Sequence, residues 1–431
     1  MLAGVGGLRD VLFGRAYDFE KTSAFRRYTQ RFLAGGLVVQ ECEAHKMRRR
    51  AVGPVFQPWN VDALKPLLCA KSQRLVQALR TASTVDICGW ATRFALDVAR
   101  AVGFGEDFGL VESREVHPIL QAYTTIFTGS KEKMTPIWMS KMFPHKLDKE
   151  MDEASRVVRE FTLNAVRKRM DLIRSGEKAP QDFLTEFIFS EKFNARECAD
   201  ELVVLMAAAH ESTAALISMV IHCLCRRPEL QSALRSELSV FGLSPDHEAS
   251  FPESQYEKMT LLNAVLNEMM RLEPPLPMTL RKAVRDKSVG GHAVRAGTYI
   301  VLSPYAMGRS QAIWAPAAST FGPRRWIMPH KDRDGDASAS YLPTEEHVCS
   351  LHGTLNEHGG TAGGHRYGML AFLKGPKGCT GELLAKAEMR RVVAALVAWF
   401  QWTPAQTHEP EQAGIVVVKP AGGITVRLQP I

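Results

Sequence analysis

The stretch FLKGPKGCTG, residues 372–381, places one cysteine, Cys379, among three glycines. These glycines allow the backbone on either side of the cysteine to approach another group closely. The amphipathic pattern that follows predicts a helix over about 380–400, so Cys379 lies just before a helix N-terminus. The helix dipole and the free N–H groups at that end favour a thiolate. Taken alone, the stretch fits a functional thiolate and a small buried cysteine in a tight turn about equally well.

The composition is that of a globular protein. The chain has 431 residues, of which 45% are hydrophobic and 23% charged, enough to enclose a cofactor. The net charge of +8 is spread along the chain, which favours a solvated surface or one basic docking face over nucleic-acid binding. The eight cysteines show no CxxC spacing, so they indicate neither a disulfide framework nor a zinc site. We expect no signal peptide or membrane anchor in this sequence, because its start lacks a long apolar run.

The pattern of apolar residues predicts mostly helix up to about residue 240. Three- and four-residue spacing is clearest over 61–79, 91–102 and 155–173. The long apolar stretch 202–225 carries His210 and Glu211 at its middle, where ionisable groups are costly in a bilayer, so it predicts a buried core helix. Further helices are predicted around 230–240 and 261–272.

A smaller part of the chain has the alternating pattern of strands. Residues 288–303 predict strands joined by turns, and residues 414–428 predict a hairpin that turns at Pro420-Ala-Gly-Gly. Residues 329–368 are polar and predict an extended surface loop. The sequence therefore predicts a mainly α protein with a minor β part.

Three other stretches carry candidate chemistry. Glu268 and Arg271 lie on one face of a predicted helix, although most such pairs are exposed and contribute little. Glu211 is followed by a hydroxyl, Ser212, an arrangement that suits proton delivery but also fits a polar core site or a helix kink. A basic cluster that starts at His45 fits a binding helix, a solvated face or a nucleic-acid patch.

Together these stretches resemble the cytochromes P-450. The heme-binding signature of that family reads Phe, two residues, Gly, one residue, Arg, one residue, Cys, one residue, Gly. Phe372, Gly375, Cys379 and Gly381 match it, and Lys377 stands where the family usually has Arg. Lysine keeps the positive charge but lacks the planar fork of arginine. The resemblance implies that Cys379 is the axial ligand of a heme iron.

The other motifs occur along the chain in the same order as in the family. Glu268 and Arg271 match a pair that, in the family, is locked to a later Arg, here Arg325, and the three would support the heme pocket. Arg324 departs from the Glu usual at its position. Glu211 and Ser212 match the oxygen-activation motif and would relay protons.

The resemblance also implies contacts to heme and substrate. The expected propionate ligands are His45, Arg49 and Arg281. In the oxygen-activation motif Ala209 replaces the usual Gly and Ser212 the usual Thr. The residues expected to line an apolar distal pocket are Leu205, Ala208, Leu276 and Thr279.

The resemblance covers nearly the whole chain and is greatest to fungal members of the microsomal branch. It implies a mainly α P-450 fold in one domain, 1–431, around a buried heme b, without the membrane helix and first sheet strands that such members usually carry at the N-terminus. The implied reaction inserts one atom of O₂ into a lipophilic substrate, a terpenoid or polyketide type of secondary metabolite. The expected location is the cytoplasmic side, peripheral to the endoplasmic reticulum.

The implied electron donor is an NADPH-dependent flavoprotein reductase with an acidic docking face. Candidate docking residues, for which an ordinary solvated face is the alternative, are Lys374, Lys377, Lys386, Arg390 and Arg391. Two other functions stay open at this stage. One is a family member that catalyses rearrangement, dehydration or peroxide-driven chemistry, and the other is a truncated, non-catalytic heme-binding protein.

Overall fold

The computed structural model of the protein describes residues 5–113, 117–132, 146–243, 253–314, 317–328, 354–355, 368–414 and 416–431. The surface loop predicted over 329–368 lies outside these residues except for Gly368 and the pair Thr354–Leu355. That pair is not loop but a short strand that pairs with Ile327–Met328.

Helices form most of the described chain. In order they are α1 Val5–Arg9, α2 Ser23–Leu33, α3 Cys42–Val52, α4 Pro58–Ala63, α5 Lys65–Leu79, α6 Ile87–Phe104, α7 Pro118–Glu132, α8 Lys146–Arg174, α9 Phe183–Phe189, α10 Ala195–Cys225, α11 Pro228–Val240, α12 Glu253–Lys258, α13 Thr260–Leu272, α14 Pro304–Gly308, α15 Gln311–Trp314 and α16 Glu382–Trp399. The single helix predicted over 61–79 is divided at Leu64, because Pro66 lacks the N–H that would continue the first helix.

Helix α10 runs through the core. Asn194 caps it, and the side chain of Glu197 accepts a hydrogen bond in return from the Asn194 N–H. Among the described helices, α10 alone is long and apolar enough to cross a bilayer, but 72% of its apolar window is buried inside the protein. The core-helix prediction is thereby confirmed. Helix α10 packs closely on α6, because a Cβ atom added at Gly103 of α6 would lie 3.0 Å from Leu205 Cδ2 of α10.

The strands form small antiparallel sheets. In order they are β1 Phe19–Glu20, β2 Thr84–Asp86, β3 Thr279–Ala283, β4 Lys287–Val289, β5 His292–Val294, β6 Tyr299–Leu302, β7 Ile327–Met328, β8 Thr354–Leu355, β9 Phe400–Pro404, β10 Gln412–Ala413, β11 Lys419–Pro420 and β12 Thr425–Pro430. Two sheets have three strands, in the orders β1-β3-β6 and β2-β12-β9, and the others are pairs. The predicted mainly α fold with a minor β part is confirmed.

The hairpin predicted over 414–428 is wrong. Strand β11 pairs with β10, whereas β12 pairs with β9 and β2. Val426 and Leu428 are buried on β12, and Phe400 and Trp402 are buried on β9. Pairing these two strands gives the sheet one continuous apolar face, which a local hairpin would not provide.

Candidate active site

The cysteine loop is a tight structure with little freedom. The N–H of Cys379 donates to the Phe372 carbonyl at 2.8 Å, and a 3₁₀ turn over Gly375–Lys377 lies between them. Gly375 has a φ of +74°, and a Cβ there would lie 2.0 Å from the carbonyl oxygen of Leu12. Only glycine fits this position. The loop thus holds the cysteine side chain in one place ahead of helix α16.

The surroundings of the Cys379 thiol disfavour its ionised form. Cys379 has an accessible surface, although protein atoms surround it closely enough that burial is the main cause raising its pKa, with Glu382 adding to the rise. The backbone N–H of Gly381 and the charge of Arg49 lower the pKa without reversing the shift. A thiolate here therefore needs a further positive charge at the sulfur, as a bound metal would provide.

Over residues 201–218, helix α10 presents one accessible stripe in an otherwise buried surface. Ala208 is exposed, and Leu205, Ala209 and Ser212 are half-buried, while their neighbours along the helix are buried. The spacing of three and four residues puts all four on one face. Ser212 Oγ donates to the Ala208 carbonyl at 2.8 Å. The stripe is apolar except for this hydroxyl, as suits a site for an apolar molecule.

Glu211 points to another side of the same helix. Its Oε1 accepts from Lys419 Nζ on β11 at 2.7 Å and lies 3.5 Å from His210 Nε2. Burial alone would raise the pKa of Glu211, but the hydrogen bonds and charges of His210 and Lys419 outweigh burial and hold the pKa at about 2. The structure thus places Glu211 with Lys419, and the described hydrogen bonds do not join it to Ser212.

The structure brings Glu268, Arg271 and Arg325 together in the core. Glu268 and Arg271 have no exposed side-chain surface, and Arg271 Nη2 lies 2.7 Å from Glu268 Oε1. Arg325 Nε donates to the same oxygen at 3.0 Å. Two further donors, the indole of Trp326 at 2.9 Å and the Gly322 N–H at 2.7 Å, complete the contacts. Trp326 was not predicted as a member of this site.

The basic helix α3 lies against the cysteine loop. Arg49 Nη1 donates to the Gly378 carbonyl at 2.5 Å, and buried His45 is hydrogen-bonded through Nδ1 to the Tyr17 hydroxyl at 3.1 Å. Burial, followed by the charges of Lys21 and Lys377, lowers the pKa of His45 to about 4. His45 is therefore neutral at pH 7 and can hydrogen-bond in either direction.

Positive charge exceeds negative charge in this region. Lys377 Nζ donates to the Phe19 carbonyl at 2.9 Å and forms a buried ion pair with Glu41, which also binds Lys21 at 3.2 Å. Arg281 is buried, yet its acceptors among the described residues are Thr279 Oγ1 at 2.8 Å and the Leu280 carbonyl at 2.9 Å. No carboxylate in the described part of the chain lies within ion-pair distance of Arg281. Buried charges are normally paired, so this one suits an acidic ligand.

A sequence profile described as Cytochrome P450 matches residues 7–427, nearly the whole chain. The chain belongs to the cytochrome P450 family. Members of the family bind heme, and heme is the cofactor of this P450.

Several fungal P450 monooxygenases are similar to it. One is the cytochrome P450 monooxygenase sphH of Aspergillus fumigatus, 28% identical over 98% of this chain and 77% of its own length. The monooxygenase ptmK of Penicillium ochrochloron is 28% identical over 98% of this chain and 82% of its own. FUM15 of Gibberella moniliformis is 27% identical over 98% and 78%. The chain is therefore a P450 monooxygenase, an oxidoreductase that uses O₂, a source of electrons and an organic substrate.

The residues of this P450 fit heme b, iron protoporphyrin IX. The accessible, enclosed thiol of Cys379 needs a positive partner, which a heme iron would supply. The unpaired Arg281, with Arg49 and neutral His45, suits the two propionates. Lys377 is instead paired with Glu41. The two residues are 336 positions apart, so no local sequence pattern indicates this pairing.

The prediction that Lys377 and Arg391 belong to the docking face is wrong. The side chains of Lys377 and Arg391 are buried, so neither can meet a partner protein. Lys374 and Lys386 remain about one-third exposed, and Arg390 is held by Asn263 at 2.7 Å. Of the predicted pocket residues, Leu276 is 37% exposed and Thr279 is bound to Arg281.

Proposed function

We propose that this P450 oxidises a lipophilic secondary metabolite of the terpenoid or polyketide type, with electrons from an NADPH-dependent flavoprotein reductase. The apolar character of the stripe formed by Leu205, Ala208 and Ala209 supports a lipophilic substrate. The fungal sources of the similar monooxygenases support the metabolite class. Leu276 and Thr279 lie on the turn and strand after α13 and would complete the pocket.

In this proposal Cys379 would hold the heme iron through its sulfur, and the glycines of its loop would let the heme approach the backbone closely. When bound, heme supplies the iron at which O₂ is activated, and a thiolate ligand donates electron density that favours O–O cleavage. Phe372, Gly375 and Gly381 fix the loop, and Lys377 holds it to β1 through the Phe19 carbonyl and to the start of α3 through Glu41. The Glu268 cluster stabilises the segments behind the pocket.

His45, Arg49 and Arg281 would hold the propionates. Arg281 has the strongest support, because its guanidinium is buried without a described carboxylate. Arg49 contributes both a contact to the cysteine loop and a charge that favours the Cys379 thiolate. His45 is neutral and bonded to Tyr17, so it would act as a hydrogen-bond partner rather than as a cation.

Ser212 and Glu211 would deliver protons to the reacting oxygen. Ser212 places its hydroxyl on the accessible stripe, where a bound molecule can reach it. Glu211 lies one residue away but is turned toward Lys419, so its carboxylate must move, or a water must bridge, before a proton can pass to Ser212.

The reductase would dock near the cysteine loop. Lys374 and Lys386 are partly exposed there. Exposed apolar side chains occur on the neighbouring helices α3, α4 and α16, at Met47, Trp59 and Leu383. An apolar centre with basic residues around it suits an acidic partner protein. We also propose that residues 1–431 form a single domain and that the protein works on the cytoplasmic side, peripheral to the endoplasmic reticulum.

The enclosed but accessible thiol of Cys379 carries this proposal, and a carbon monoxide difference spectrum tests it. We expect a strongly red-shifted Soret band in the reduced wild type, its loss in Cys379→Ala, and its retention in Cys88→Ala, a control at a half-buried cysteine outside the loop. Absence of the band in folded, heme-supplied wild type would contradict thiolate ligation.

A second measurement distinguishes the reactions. Wild type with a lipophilic substrate panel should form oxygenated product only when reductase, NADPH and O₂ are all present. Product formed with peroxide alone, or an isomerised product without reductase, would instead show rearrangement or peroxide-driven chemistry. Heme binding without any product would favour the non-catalytic alternative.

A further inference from the structure

The segment after β9 lies along one side of helix α10. Glu409 binds His222 at 2.9 Å, and Gln412 Nε2 lies 3.2 Å from the sulfur of Met219. Lys419 binds Glu211 at 2.7 Å. The partners on α10 are thus Glu211, Met219 and His222, and their spacing places them on one face of the helix. The same segment touches the other side of the pocket, because the Val418 N–H donates to the Pro275 carbonyl at 2.8 Å.

Lys419 and Glu211 differ in their access to solvent. The Lys419 side chain is 23% exposed, whereas that of Glu211 is 3% exposed. The other group facing Glu211 is His210, whose Nδ1 lies 2.6 Å from the Met206 carbonyl and whose ring packs on Tyr123 and Phe127. His210 is therefore fixed, while Lys419 is on a short strand and can swing toward solvent.

We propose that Lys419 is a positioning residue for proton delivery, which holds Glu211 away from the oxygen-side stripe and opens the path by which solvent protons reach it. This inference rests on the proposed monooxygenase reaction. Opening of the ion pair leaves a buried carboxylate without its lysine cation, and such a carboxylate takes up a proton from solvent. Glu211 then turns to Ser212.

The proton transfer involves no change of oxidation state at any atom. One solvent proton binds to the Glu211 carboxylate, and Glu211 passes a proton to the Ser212 oxygen while the Ser212 hydroxyl proton moves to the reacting oxygen. The Glu211 carboxylate is regenerated and returns to Lys419. From α6, the Cys88 thiol faces Lys419 and Asp86, and burial raises its pKa to about 11, so this thiol stays neutral across neutral pH.

Lys419→Met tests the proposal, with Lys419→Arg as the conservative variant and Glu409→Gln as a control that loosens the same segment elsewhere. The first readout is thermal unfolding of the holoprotein. We expect Lys419→Met and Glu211→Gln each to lower the midpoint, and the double variant to unfold no earlier than the more affected single variant. Additive lowering would overturn the pairing on which the proposal stands.

The second readout is oxygen consumption by the substrate-free holoenzyme with reductase and NADPH, in H₂O and D₂O across neutral pH. Wild type, Lys419→Arg and Glu409→Gln should show no titration from Glu211 there. In Lys419→Met the pKa of Glu211 rises, so consumption should fall by at least about tenfold toward alkaline pH, with a larger solvent isotope effect. A profile like that of Glu409→Gln would overturn the proposal.

The two readouts separate this inference from the proposed function. If the wild type shows no red-shifted carbon monoxide band and consumes no oxygen, the proposed function fails, and the unfolding cycle still decides whether Lys419 and Glu211 are paired. If the wild type is active and Lys419→Met keeps a flat pH profile, only the role of Lys419 fails.

Discussion

The indole Nε1 of Trp326 donates a 2.9 Å hydrogen bond to Glu268 Oε2 in the fully buried core. The opposite oxygen, Oε1, accepts from Arg271 and Arg325. One carboxylate thus ties helix α13 to the 3₁₀ turn Pro323–Trp326. The carboxylate stabilises this connection, since its loss would leave the Arg271 guanidinium without an anion and the buried Trp326 indole without its acceptor.

Glu268→Gln should therefore be among the most destabilising single substitutions in the chain. It leaves the buried Arg271 guanidinium and the half-buried Arg325 guanidinium without their anion, at a cost of about 3–5 kcal/mol. Trp326→Phe removes one charge-assisted hydrogen bond and should cost about 1.5–3 kcal/mol. Denaturant unfolding of the holoprotein measures both. Glu43→Gln is the control, since its ion pair with Lys46 is exposed, and it should leave the midpoint unchanged. A Glu268→Gln midpoint equal to that of this control would contradict the argument.

Gly375→Ala should prevent correct formation of the cysteine loop. The positive φ disfavours alanine, and the new Cβ would collide with the Leu12 carbonyl oxygen. We expect little or no red-shifted carbon monoxide band in the variant. Gly53→Ala is the matched control, because a Cβ at Gly53 meets nothing within 4 Å and its φ is −51°. Equal band intensity in the two variants would show that the loop tolerates a side chain.

Acid should destabilise the heme-free protein partly through His45. The folded pKa is about 4, below the ordinary value of 6.5, so the unfolded chain binds more protons between these values. The stability from keeping His45 neutral is therefore complete above pH 6.5 and is lost as the pH falls toward about 4, by at most about 3 kcal/mol.

His45→Gln should reduce this slope, as measured by chemical denaturation across the same pH window. His292→Gln, at an exposed histidine on β5, should leave the slope as in wild type. Identical slopes in wild type and both variants would remove His45 as the cause.

The motifs that the sequence reveals are those whose members are close along the chain or lie in a fixed order. The spacing of Glu268 and Arg271 follows from one helical turn, and the glycines around Cys379 mark a tight loop. Partners such as Lys419 for Glu211 and Glu41 for Lys377 are set by packing between distant segments, so no local period encodes them.

The false hairpin over 414–428 has the same origin. Its turn residues favour a local reversal, and Gly422 and Gly423 do adopt positive φ. The pairing, however, is decided by which strand buries Val426 and Leu428, and that strand is β9. Local turn signals therefore predicted the position of the turn but not the partner of the strand.

Arg281→Gln should weaken heme retention more than any exposed substitution on the same strand. The guanidinium is buried with only a hydroxyl and a carbonyl as described acceptors, so a propionate is the anion that would balance its charge. Loss of one charge-assisted contact, about 1.5–3 kcal/mol, corresponds to about 10- to 100-fold faster release. Transfer of heme to excess apomyoglobin, followed by absorbance, measures the rate. Lys282→Gln is the control, because Lys282 is the adjacent, exposed cation on β3, and it should release heme at the wild-type rate. If both variants lose heme equally fast, general charge attracts the propionates and Arg281 is not a specific ligand.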